Sequence, residues 1–307
     1  MKKIRIGTRK SPLAVWQAEF IGRRLEEHGL SYELIKIETK GDKILDQSLS
    51  KIGSKGVFTE ELEIMLEQGD IDLAQHSAKD LTSDLPANLP IIAFTKRALA
   101  NDVVISFNQK LRLNTDANLI IGTSSTRRQA ILNYHFPQHR QVEMRGNIQT
   151  RIEKLKNGAA DCIILAYAGV HRMGLEHLIV EELPLDVFTP AVGQGSVAIQ
   201  ASDKLDASMK NKIRQILNDQ ETETCITAER SILQKINGGC SIPFFGHCQF
   251  LQDHYSIRAG IYDKENGKTL IVNKIGKNAH VLAQEISEEL LEKNILSIIH
   301  RLKLNQP

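Results

Sequence analysis

The first two thirds of the chain alternate strand-like apolar runs with segments of helical periodicity, and this alternation limits the fold more than any other feature. Lys3–Thr8 reads as a strand. Ser11 and Pro12 follow as an N-cap and a first helical residue, and Leu13, Trp16, Phe20, Ile21 and Leu25 then recur at helical spacing until Gly29. Glu33–Thr39 predicts a second strand. Thr59–Gln68 predicts a helix with Glu60 and Glu61 at its positive end and Gly69 at its stop. Ile71–Gln75 predicts a third strand that runs into His76-Ser77-Ala78-Lys79-Asp80. A second set begins near residue 96, with strands at Val103–Phe107, Leu119–Gly122 and Cys162–Ala166 and helices starting at Ser125 and Asn147. The pattern predicts an α/β fold with a largely parallel sheet in each half. From about residue 220 the order changes: Thr222–Gln234 reads as helix, Tyr255–Tyr262 and Thr269–Ile275 as strands, and His280 to Leu291 as helix. Strands grouped apart from helices predict a separate α+β domain.

Charge excludes some partners. Among 307 residues, 39 Lys and Arg stand against 37 Asp and Glu, so the bulk charge gives no basis for nucleic-acid or membrane binding. Aromatic residues are only 5%, and few lie among the cations, whereas strand-binding proteins interleave stacking rings with their positive charges. No apolar run approaches the ~18 residues of a membrane span, and no apolar stretch of signal-peptide length follows Lys2 and Lys3. A cytoplasmic protein is expected. Cys162, Cys225, Cys240 and Cys248 form no CxxC pair, which predicts free thiols and no zinc site.

The positive charge is local. Gly122 to Arg172 carries eight Lys/Arg and three Asp/Glu. Thr123-Ser124-Ser125-Thr126-Arg127-Arg128 follows a strand and opens a helix, where loop amides, hydroxyls and guanidinium forks favour an anion. Arg145-Gly146-Asn147 repeats the arrangement, with Arg151 one turn beyond. Solvated arginines on helix faces are the bland alternative. Arg9, Lys10 and Ser11 lie at the first strand-to-helix turn. Lys51-Ile52-Gly53-Ser54-Lys55-Gly56 is a Gly-rich cationic loop without phosphate-loop spacing, so it reads as a cationic lid or as a plain exposed loop. Asp80 reads as a general acid/base, as a partner for a developing cation, or as a simple turn cap. Cys240 follows Gly238-Gly239 on a loop, which suits an attachment point or nucleophile, or a buried thiol.

Taken in order, Arg9-Lys10-Ser11-Pro12-Leu13-Ala14, Gly41-Asp42, Lys51 to Gly56, His76 to Leu81, Gly122 to Ser125, Arg127-Arg128-Gln129, Arg145-Gly146-Asn147, Thr150-Arg151, Pro190-Ala191-Val192-Gly193-Gln194-Gly195 and Gly238-Gly239-Cys240 resemble the porphobilinogen deaminase (hydroxymethylbilane synthase) family. The resemblance implies two periplasmic-binding-like α/β domains with a cleft between them and a smaller C-terminal α+β domain. Domain one would be 1–95 with 196–219, domain two 96–195 and domain three 220–307. It implies a dipyrromethane cofactor attached covalently through Cys240, porphobilinogen as substrate and Asp80 as the catalytic carboxylate. Arg9, Ser11, Lys51, Lys55, Thr123, Ser124, Ser125, Arg127, Arg128, Arg145, Gly146, Asn147, Arg151, Arg172 and Gln194 would hold the acetate and propionate groups of the pyrrole chain, with His76, Ser77 and Lys79 supporting Asp80. A monomer without nucleic acid or membrane partners is expected. Against the family pattern, Gln75 replaces an apolar residue, Thr82 a Pro, Thr126 a Leu and Gln200 a Glu. A second reading is a non-catalytic two-lobed small-anion binding protein. The first 215 residues alone support it, but Gly238-Gly239-Cys240 and the third domain have no purpose in such a receptor.

Overall fold

A computed structural model of the chain describes residues 3–43, 56, 58–239, 242–263 and 267–304. The chain begins with β1 (Ile4–Arg9), α1 (Pro12–Glu26), β2 (Tyr32–Ile37), α2 (Lys40–Lys43), α3 (Glu60–Gln68), β3 (Leu73–Ser77) and β4 (Ile91–Phe94). It continues with β5 (Asp102–Ile105), β6 (Ile120–Gly122), α4 (Thr126–His135), β7 (Arg140–Val142), α5 (Ile148–Lys156), β8 (Cys162–Ala166), α6 (Tyr167–Arg172) and β9 (Ile179–Glu182). It closes with β10 (Val197–Ala201), α7 (Ala207–Leu217), α8 (Gln220–Lys235), β11 (Phe244–Leu251), β12 (His254–Asp263), β13 (Lys268–Gly276), α9 (Ala279–Glu292) and α10 (Ile295–Leu304). Backbone contacts gather the chain into two compact units, 1–98 with 195–224, and 99–194 with 225–307.

In the first unit the strand order is β2-β1-β3-β10-β4. β1 runs parallel to β2 and β3, while β10 runs antiparallel to β3 and β4. Ile6, Ile21, Leu25, Leu73, Ile199 and Ile213 fill the core. Ser11 caps α1 by accepting from the Ala14 amide, Pro12 takes the first helical position, and Gly69 ends α3 at φ +75°.

The sheet of the second unit repeats that order as β7-β6-β8-β5-β9. β6 is parallel to β7 and β8, and β5 is antiparallel to β8 and β9. The C-terminal residues form a smaller α+β domain: the antiparallel meander β11-β12-β13 shares a core with α8, α9 and α10. Phe245 and Tyr262 of the meander also enter the core beneath β5, β6 and α4.

One expectation holds with an exception and one is corrected. Four of the five strands in each sheet run the same way, so each sheet is largely but not wholly parallel. Each takes in one strand, β10 or β5, that pairs antiparallel on both sides, and strand direction leaves no mark on local periodicity. The third strand spans Leu73–Ser77 instead of Ile71–Gln75, so His76 and Ser77 join Gln75 in it. Their side chains find distant partners, described next.

Candidate active site

Parallel strands bring their carboxyl ends to one edge of a sheet, and in open α/β sheets that edge is where ligands bind. In the first unit, β1 delivers Arg9 and Ser11 there. β3 delivers Ser77 and, through the short 3-10 turn Ala78–Asp80, Lys79 and Asp80. A cavity of about 70 Å³ is lined by Arg9, Ser11, Gln17, Phe58, Gln75, His76, Ser77 and Asp80 among others. Asp80 is half-buried. The Arg9 guanidinium lies 4.1 Å from the centre of the Phe58 ring, a cation–π contact that fixes a long side chain at the cavity wall. The resemblance-predicted residues Arg9, Ser11, His76, Ser77 and Asp80 therefore meet at one site, with Lys79 on the same turn as Asp80.

The strand beneath is unusually polar for a buried one. Gln75 donates to Thr8 Oγ1 at 2.8 Å and to the Ala14 carbonyl at 3.1 Å. Gln17 donates to Ser77 Oγ at 3.1 Å. His76 Nε2 lies 3.0 Å from Gln200 Oε1. Burial, aided by the charge of Arg9 and opposed by the Gln200 hydrogen bond, pulls the His76 imidazole down to about 4, so it is neutral at pH 7. Gln17 was missed in the sequence. Gln75 and Gln200 stood out only as departures from the family pattern, and both turn out to satisfy buried polar neighbours.

In the second unit the same edge carries the cationic segments. The hydroxyls there hold the backbone. Thr123 Oγ1 accepts from the Ser125 amide at 3.3 Å, and Ser124 Oγ from the Met144 amide at 2.9 Å. Ser125 Oγ caps α4 by accepting from the Arg128 amide at 3.4 Å. Asn147 caps α5 by accepting from the Thr150 amide at 2.9 Å. Gly146 sits at φ +111°, and a Cβ there would come 2.7 Å from Thr150 Cγ2, so no other residue fits this turn without strain. Arg145 makes a forked pair with Glu143, at 3.1 and 3.2 Å. Arg151 Nε donates to the Gly146 carbonyl at 2.8 Å. Arg172 closes α6, and burial lowers its guanidinium to about 10.

Arg127, Arg128 and Gln194 converge on a residue that sequence reasoning did not single out, Asp102. Each guanidinium donates through Nη2 to one Asp102 oxygen at 2.7 Å, and Gln194 Nε2 adds a 2.9 Å contact. Arg127 Nη1 also donates to the Thr189 carbonyl and Arg128 Nη1 to the Ile164 carbonyl, both at 2.8 Å. Burial alone would raise the Asp102 pKa. The two adjacent guanidinium charges, with hydrogen bonds from Arg128 and Gln194, outweigh it and hold the carboxyl well below the usual range. A signal existed: an acid opening the apolar run Val103-Val104-Ile105 needs a partner if the strand is buried. Glu229, fully buried on α8, was missed too. Its carboxylate accepts from the Gly193 and Cys248 amides.

Lys51, Lys55 and Cys240 lie outside the described residues. The turn leading to Cys240 is described: the Gly238 amide closes on the Leu233 carbonyl after Asn237 at φ +49°. Among the described residues, no helix is long and apolar enough to cross a membrane.

Residues 4–211 match the family described as "Porphobilinogen deaminase, dipyromethane cofactor binding domain", and residues 223–292 match "Porphobilinogen deaminase, C-terminal domain". Porphobilinogen deaminase of Cytophaga hutchinsonii is 51% identical over 269 residues, covering 88% of this chain and 86% of that protein. The namesake from Desulfosudis oleivorans is 42% identical over 308 residues, covering 99% of each. Among solved structures, the methionine binding protein MetQ aligns over 72% of this chain and 92% of its own, at 15% identity and a TM-score of 0.46.

Proposed function

The chain belongs to the porphobilinogen deaminase family, and from that premise we propose that Asp80 is its catalytic carboxylate and Cys240 the anchor of its cofactor. The reaction is a transferase step of tetrapyrrole biosynthesis: four porphobilinogen molecules are joined head to tail with loss of ammonia, and hydrolysis releases hydroxymethylbilane. The observation that carries the assignment of Asp80 is its place in one cavity with Arg9, Ser11, His76 and Ser77, at the carboxyl ends of two parallel strands.

The chemistry follows from charge. When the C–N bond of the aminomethyl group breaks, its electron pair leaves with ammonia and the pyrrole ring becomes cationic. A fixed carboxylate beside the ring stabilises that cation, because in a partly dehydrated site it needs no reorganisation. The substrate also brings acetate and propionate groups, and Arg9 and Ser11 supply donors for them at the same cavity.

The second unit suits a polycarboxylate such as the dipyrromethane. Two guanidiniums face one Asp102 carboxylate, which leaves one positive charge, and the Nε of Arg127 and of Arg128 are buried with no hydrogen-bond partner among the described residues. Arg127, Arg128, Arg145, Arg151 and Arg172, with Thr123, Ser124 and Ser125, would hold its carboxylates, and Lys51 and Lys55 join them by resemblance. When bound, the cofactor supplies the pyrrole carbon on which the chain is started. This reading keeps the division into 1–95 with 196–219, 96–195 and 220–307, and a cytoplasmic monomer without nucleic acid.

Intact mass of the purified protein tests the anchor. The wild type is expected to carry a dipyrrole-sized adduct that Cys240→Ala lacks. A fully active wild type of unmodified mass would falsify the reading. A plain anion-binding protein is not favoured by the family match, and in this experiment it would show neither adduct nor turnover.

A further inference from the structure

His76 lines the Asp80 cavity, and what it offers there depends on which ring nitrogen carries the proton. The answer comes from the far side of the ring. Gln200 is fully buried on β10, and one atom of its side-chain amide lies 3.0 Å from the Leu89 carbonyl and 3.4 Å from Glu63 Oε1. A carbonyl only accepts, so that atom is the amide nitrogen. The atom toward His76 is then the amide oxygen, which also only accepts, and the proton must sit on His76 Nε2. The imidazole being neutral, Nδ1 is left with a lone pair. Among the described residues Nδ1 has no hydrogen-bond partner, and it is not one of the fully buried orphan atoms.

We propose that Gln200 is a positioning residue for the reaction: it holds His76 as the Nε2–H tautomer and so presents Nδ1 as a neutral acceptor for an N–H of porphobilinogen, in the cavity that holds Asp80. Porphobilinogen has such donors in its pyrrole N–H and its aminomethyl group, and a neutral acceptor beside a carboxylate receives an N–H without adding a second negative charge. The charged groups around the imidazole are Arg9 of β1, Asp80 on the turn after β3, and Glu63 of α3 behind Gln200. Arg9 opposes protonation of the ring, and Gln200 keeps the Glu63 carboxylate one amide away from it. The inference rests on the reading that porphobilinogen reacts in the Asp80 cavity.

Two experiments separate the inference from that reading. Long-range ¹H–¹⁵N correlation on the holoenzyme labelled in histidine reports the tautomer without substrate, with the His76→Gln variant identifying the signal. An Nε2–H, bare-Nδ1 ring is expected, and a protonated Nδ1 overturns the inference while leaving the role of Asp80 intact. The second is the pH profile of Gln200→Glu. The new side chain still accepts from Nε2, but its charge favours imidazolium, so the acid limb of kcat/KM is expected to move up by roughly one pH unit. A purely structural glutamine predicts an unmoved limb, and that result overturns the proposal. Gln200→Leu, which offers no acceptor, is expected to lower kcat/KM about three- to tenfold, the worth of one ordinary hydrogen bond. If that variant does not fold, the first two measurements still decide.

Discussion

The two five-stranded sheets share one strand order, and each places a carboxylate at the edge where its parallel strands end, yet the two acids are treated in opposite ways. Asp80 stands half-buried on a turn at the wall of a cavity. Asp102 is wholly buried at the start of its strand, with both oxygens taken by arginines. On the proposed reading, the first meets a charge that appears during the reaction. The second neutralises half of a charge that is always present, and it fixes both guanidiniums in place. On that reading one scaffold edge serves chemistry in one unit and charge balance in the other, and the choice is set by burial.

That contrast is most severely tested at Asp102. Asp102→Asn leaves two buried guanidiniums without a counterion, and breaking a buried pair in this way costs about 3–5 kcal/mol. Chemical denaturation should show that loss. Asp80→Asn is expected to do the reverse: an unfolding free energy close to wild type, the cofactor adduct retained, and kcat down by about 10²–10³-fold, as for removal of one preorganised electrostatic group. If Asp80→Asn unfolds the protein while Asp102→Asn merely slows it, the two roles have been assigned the wrong way round.

A smaller effect separates the units by pH. His76 titrates at about 4 in the folded protein against an ordinary 6.5, so the unfolded chain binds the proton more readily. Stability from keeping it neutral is complete above 6.5 and is lost as pH falls toward 4, up to about 3 kcal/mol. Asp102 has the opposite sign of dependence on charge: its contribution fades only once pH falls below the ordinary aspartate value of 3.8. His135 in the second unit is also lowered, chiefly by burial, so the total slope is shared. His76→Gln should therefore flatten the fall in denaturation free energy between pH 6.5 and 4.5 relative to wild type. Equal slopes in the two proteins would place the buried proton deficit elsewhere.

Some of this was legible before any coordinates. β8 reads correctly to the residue, because five apolar residues lie between Asp161 and Tyr167. The starts of α1, α4 and α5 were fixed by Ser11-Pro12, Ser125 and Asn147, whose side chains all cap as their types suggest. The expected β3 ends too early because His76 and Ser77 look like loop residues. They become strand residues through Gln200 and Gln17, which are distant in sequence. The direction of β5 and β10 was hidden for the same kind of reason. The arginine pair was visible as a motif, but its shared partner Asp102 lies 25 residues before Arg127. Residue type fixed the charge of the site, and only tertiary structure decided which charges are already matched.

The smallest predicted effect is the most discriminating about that last point. Ser125 stands at an edge read as carboxylate-binding, but its oxygen already caps α4, so its presence is explained twice. Alanine removes both functions, and Ser125→Ala should cost about 1 kcal/mol of stability without telling them apart. Aspartate separates them. It caps as well as serine and its charge suits a helix N-terminus, so Ser125→Asp should unfold like wild type. It also puts a fixed anion where a carboxylate of the growing pyrrole chain would sit, so KM for porphobilinogen should rise severalfold while the unfolding curve stays in place. The matching change in the first unit, Ser11→Asp, sets a second carboxylate among the residues that line the Asp80 cavity and again preserves the cap. A rise in KM from both would mean that each unit receives a carboxylate of the substrate or of the growing pyrrole chain at its strand edge. A rise from Ser11→Asp alone would confine recognition to the first unit and leave the serine before the arginine pair as a cap and nothing more.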